Sequence, residues 1–71
     1  RLNGNYSQSI DVYDSILKRD DESFEALLGK AIAYFEAGDA QNADSFFKKA
    51  NSIKILDGDA KEMWQSIQEN N

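Results

Sequence analysis

Cysteine, histidine and proline are all missing from this 71-residue chain, and glycine occurs only four times. Without cysteine no disulfide staples the fold, and no thiolate can ligate a metal or attack a substrate. Without histidine the commonest general base and the commonest transition-metal ligand are gone as well. No apolar run is long enough to span a bilayer and no signal-peptide pattern opens the sequence, which favours a cytoplasmic reading without a membrane partner. Positive charge is scarce too. Eight Lys and Arg against thirteen Asp and Glu leave a net charge of −5, an unfavourable balance for a nucleic-acid backbone. Lys18-Arg19 and Lys48-Lys49 are the basic pairs, and each reads as a solvated helix face. The chain opens on Arg1 rather than methionine, which reads as an excised or processed piece.

What is present is helical periodicity. The hydrophobic share of 41% is enough for one small globular core, though a core of this size is only marginally stable by itself. Ile10, Tyr13, Ile16 and Leu17 form one stripe at spacings of three and four. Leu27, Leu28, Ala31, Ile32, Tyr34 and Phe35 form a broader one, so that helix is buried on two sides or carries an exposed apolar face. Ala43, Phe46, Phe47, Ala50 and Ile53 make a third, and Ala60, Met63, Trp64 and Ile67 a fourth. No stretch alternates with period two for long enough to suggest a sheet.

Local signals set the boundaries. Ser23 and Asp39 are N-cap residues for the second and third helices, and Gly38 supplies the left-handed residue that ends the second. Asp59-x-x-Glu62 resembles a capping box for the last. The expectation is an all-α chain of about four helices, near 5–19, 23–37, 40–55 and 59–69, with short joints that suit antiparallel neighbours.

Shifting the sequence by 34 residues lays the first helix on the third: Gly4 falls on Gly38, Asn5 on Asp39, Ser9 on Ala43, Tyr13 on Phe47 and Ile16 on Ala50. A turn glycine, a cap, a small residue, a large aromatic and a close-packed position recur in one frame, which indicates an internal repeat.

With that period the chain resembles the tetratricopeptide repeat family. The full motif runs from Phe24 to Asp57. Ala31 stands at the small position where the first helix of the pair meets the second, Tyr34 at the aromatic one turn on, Gly38-Asp39 at the turn, and Ala43, Phe47 and Ala50 on the facing helix. The resemblance covers nearly the whole chain. It implies a right-handed α-solenoid fragment in one domain, 1–71, with the second helix of a partial repeat at 1–21, a full repeat at 22–57 and a capping-type helix at 58–71. Three departures are expected to loosen its packing. Lys30 stands where a leucine is usual, Ala40 replaces a large residue, and the closing proline is Asp21 in one copy and Ile55 in the other. A pentatricopeptide array reading single-stranded RNA and an unrelated four-helix bundle are the alternatives; the acidic balance opposes the first and the in-register echo the second.

Chemistry finds little support in the sequence. The seven serines have no histidine to activate them. Asp20-Asp21-Glu22 reads as a capping turn, and Asp57-Gly58-Asp59 lacks the ligand spacing of a calcium loop. Asn5-Tyr6-Ser7 matches a glycosylation acceptor by chance, in a helix start with no secretory signal. The expectation is therefore a non-enzymatic module with no metal or cofactor.

Function then falls to surfaces. In arrays of this kind the first helices of the repeats line a concave face. Leu28, Ile32 and Phe35, spaced i, i+4, i+7, are the residues expected there, edged by Glu25 and Glu36. An apolar stripe with acidic edges suits an apolar peptide or partner helix carrying basic flanks. The competing reading is that the last helix or a neighbouring repeat covers the stripe, leaving a structural segment that caps or extends an array. The carboxylate-clamp use known in the family is not expected: the matching positions are Glu25, Leu28, Gly29 and Ile32, then Asp59, Glu62, Met63 and Ser66, which supply neither the cation nor the amide. Finally, the first helix reads as one lacking its pair, with Arg1-Leu2-Asn3 as the tail of the missing partner. The stripe of Ile10, Tyr13 and Leu17 would then be partly unpaired and open to a second copy or to the rest of a longer array.

Overall fold

The computed structural model describes residues 4–70. Four helices account for nearly all of them: α1 Gly4–Arg19, α2 Phe24–Glu36, α3 Ala40–Ile53 and α4 Gly58–Glu69, with no strand among the described residues. The all-α expectation is correct, and the helix limits agree to within two residues. Arg1-Leu2-Asn3 lies outside the described residues.

The joints follow from individual side chains. Ser23 Oγ accepts the Ala26 N–H at 3.3 Å, and Asp39 Oδ1 accepts the Asn42 N–H at 3.2 Å, so both expected caps are made. Gly38 ends α2 with φ +86°, in the region where a Cβ is disfavoured. At the first joint the Asp20 carboxylate accepts the Glu22 N–H at 3.1 Å, consistent with a capping turn. Two details differ from the sequence reading. Asp57, rather than Asp59, precedes α4 as N-cap and makes no side-chain cap bond, because Gly58 turns the chain at φ +57° and leaves Asp59 inside the first turn. α3 stops at Ile53, since Lys54 is extended (φ −147°, ψ 129°) and Asn51 Oδ1 takes the Leu56 N–H at 2.9 Å.

α2 is the central element, packed against each of the other three. Tyr34 stacks on Phe46 near the turn, while at the far end the Lys54 ammonium lies over the Phe24 ring, so α2 and α3 run antiparallel. Between them Ala31, Ala43, Phe47 and Ala50 are all 0% exposed, and Phe47 is the largest side chain wholly removed from solvent. Small residues on both helices allow this close approach, and the aromatic fills the remaining volume. Leu56 and Ile67 extend the same core, with Met63 and Trp64 packed against it. Trp64 Nε1 donates to Asp44 Oδ1 at 2.8 Å, which satisfies its one polar atom and pins α4 to α3. Ile53, expected on the core stripe, is exposed together with Ile55, at the point where α3 ends and the chain becomes extended.

The α1–α2 junction is built differently. Ile10, Ala26 and Ala33 are buried, but so is Lys30, on the same face of α2 as the two alanines. Its Nζ donates to Asp14 Oδ1 at 2.6 Å and lies 4.1 Å from the Phe46 ring centroid. One side chain of α2 thus engages α1 through a salt bridge and α3 through a cation–π contact. The Lys30 side chain is buried, and its charge is met locally by Asp14 and the Phe46 ring.

Candidate functional site

A lone glycine inside a helix costs about 1 kcal/mol relative to alanine. Gly29 has a visible reason to be there: a Cβ built on it would overlap the ring atoms of Tyr13. The Tyr13 ring therefore lies on the backbone of α2, and the two helices approach at that point through a bare glycine. Beyond the contact they leave an open hollow of about 210 Å³. α1 contributes Asn5, Tyr6, Ser9 and Tyr13 to its wall; α2 contributes Gly29, Ile32, Ala33 and Glu36.

The residues expected on the partner face divide between two surroundings. Ile32 and Glu36 line the hollow, whereas Leu28 and Phe35 do not. Leu28, Ile32 and Phe35 are each partly buried and touch the core cluster, and Phe35 meets Phe47 edge to face at 6.5 Å. Each also keeps some exposed surface, so the chain's own helices cover the stripe only in part. Glu25 and Glu36 are exposed at its two ends. α1's contribution to this surface, Tyr6, Ser9 and Tyr13, was not anticipated. Its signal was present in the i, i+3, i+7 spacing, and the out-of-place glycine marked where the facing helix had to be.

The association face needs correction. Ile10 is buried, and Tyr13 and Leu17 are partly buried, because α2 covers that side of α1. The apolar residues that α1 shows to solvent are Val12, 60% exposed, and Ile16, 40% exposed. With Ser15 and Arg19 they line a shallow second hollow.

Among the described residues no group of three or more His, Cys, Asp and Glu side chains is placed to hold a metal ion. No helix there is long and apolar enough to cross a membrane. No family model, curated protein or solved structure matches the chain.

Proposed function

We propose that the chain is a non-catalytic interaction module of the tetratricopeptide type. Its α2 face, edged by Glu25 and Glu36, receives an apolar peptide or a partner helix with basic flanks. The observation that supports this is the state of Leu28, Ile32 and Phe35: three large apolar side chains in helical register that touch the core yet stay partly exposed. An apolar stripe backed by a packed core is held rigid before binding, which lowers the ordering cost of recognition. The test is titration of the isotope-labelled chain with short apolar peptides carrying basic flanks, followed by amide shifts. Shifts centred on Leu28, Ile32 and Phe35 support the reading. Shifts confined to α1 and α4 defeat it.

A second reading has its own observation. Val12 and Ile16 match Phe46 and Ala50 in the 34-residue frame. In α3 those two positions face the α2 junction, with Phe46 stacked on Tyr34 and Ala50 fully buried. On this reading α1 accepts a helix as α3 accepts α2, supplied by a second copy or by the rest of an array. Sedimentation from micromolar to millimolar concentration tests the self-association form: a mass that rises with concentration and returns to monomer in Val12→Asp supports it. A strict monomer throughout removes it.

A further inference from the structure

We propose that the hollow between α1 and α2 is a receptor for a single basic side chain, lysine or arginine, of a peptide lying along α2. This rests on the interaction-module reading and assigns its ligand a chemistry. The volume of about 210 Å³ is below the ~300–1,000 Å³ typical of small-molecule pockets and suits one long side chain. Ile32 and Ala33 offer an apolar wall for a methylene stem, while the Tyr6 and Tyr13 rings are the kind of surface a cation is drawn to.

The sign of the charge follows from the same lining. Among the described residues Glu36 is the only ionised side chain in it, and no lysine or arginine contributes. The helix ends do not reverse this. α1 begins at the hollow with a partial positive charge and α2 ends there with a partial negative one, so the two offset each other and the carboxylate decides. The net charge of −5 adds a field of the same sign. An acidic or neutral occupant would forgo the Glu36 carboxylate; a basic one gains it beside two tyrosines of the lining. The depth of the hollow depends on Gly29, since any larger residue would push the Tyr13 ring outward into that space.

Three capped heptapeptides, identical except for a central lysine, norleucine or glutamate between two leucines, test this by amide-shift titration. The lysine peptide is expected to bind about tenfold more tightly than the norleucine one, with shifts at Ser9, Gly29, Ile32 and Ala33, and the glutamate peptide more weakly than either. In Glu36→Gln the lysine advantage over norleucine should fall to about twofold; Glu36 is exposed, so the fold is not at stake. Tyr13→Phe should retain the advantage and Tyr13→Leu should reduce it, as a ring-face contact requires. Equal binding of the lysine and norleucine peptides, with shifts on Leu28, Ile32 and Phe35, overturns the basic-side-chain receptor but leaves the apolar surface standing. A lysine advantage that survives Glu36→Gln undiminished overturns it too. Absence of shifts on α2 with all three peptides overturns both.

Discussion

The two faces of α2 solve the same packing problem in opposite ways. Against α3 it buries Ala31 against Ala43, Phe47 and Ala50, all fully removed from solvent. Against α1 it offers Lys30, a bare glycine and an open hollow, and the contact is held by a 2.6 Å ion pair and a tyrosine ring. Close-packed apolar surface gives stability but nothing for a ligand to recognise. A junction carrying satisfied polar groups and a gap gives up some of that stability and gains a surface of defined shape and charge. The α3 side of α2 carries the fully buried core, and the α1 side carries the ion pair and the hollow.

Truncating one aromatic on each side should expose the contrast most strongly. Phe47→Ala empties a fully buried site and should cost about 3–5 kcal/mol, comparable with the whole stability of so small a domain. Its register equivalent, Tyr13→Ala, removes a partly buried ring and should cost about 1–2 kcal/mol. Urea denaturation followed by circular dichroism measures both. Equal losses would mean the two junctions contribute alike.

The ion pair comes next. Asp14→Ala strands the Lys30 ammonium, whose side chain is only 10% exposed, but Asp14 itself is 45% exposed and water can enter. The expected loss is about 1–2 kcal/mol, below the 3–5 kcal/mol of a fully buried pair. Lys30→Leu combined with Asp14→Ala should recover most of it, since an apolar residue of similar length fits the site. Failure to recover would show that the Phe46 contact of the ammonium matters more than its burial.

The joints differ in the same way, with smaller effects. Gly38→Ala forces a Cβ onto a backbone at φ +86° and should cost about 1 kcal/mol. Asp20→Ala, at a joint that needs no left-handed residue, should cost about half that. A reversed order in thermal melts would remove the distinction.

The smallest effect is the most specific. Gly29→Ala should be nearly neutral, because a gain of about 1 kcal/mol in helix propensity is offset by displacement of the Tyr13 ring. In a Tyr13→Ala background the same substitution should stabilise by about 1 kcal/mol. Identical effects in both backgrounds would mean that the ring does not occupy the space beside Gly29.

Much of the fold was legible before any coordinates. Helix positions follow from stripes at three and four, and the caps at Ser23 and Asp39 from short-range chemistry that acts within a few residues. Leu27, Ala31, Ala43, Phe47 and Ala50 were readable as core because each lies on the apolar side of its own helix. The candidate surface was legible only in half. Leu28, Ile32 and Phe35 are identifiable as an extra stripe on α2, whereas of the α1 residues that line the hollow beside Ile32 only Tyr13 stands out, and on an association face with Ile10 and Leu17. Periodicity gives the spacing of a stripe, not the neighbour that covers it. α2 rotates Ile10 inward and leaves Val12 and Ile16 outward, an angular offset that no single-helix pattern contains.

By itself, then, the sequence determined an all-α chain of four helices, where they turn, and an acidic surface without histidine or cysteine chemistry. Those properties are local or compositional, and neighbouring residues suffice to specify them. Tertiary structure alone decided that Lys30 links three helices, that Gly29 lies beneath Tyr13, and that Glu36 joins α1 residues in lining a hollow. Each of these joins residues separated by 16 or more positions along the chain, where only the packing of whole helices sets the distance.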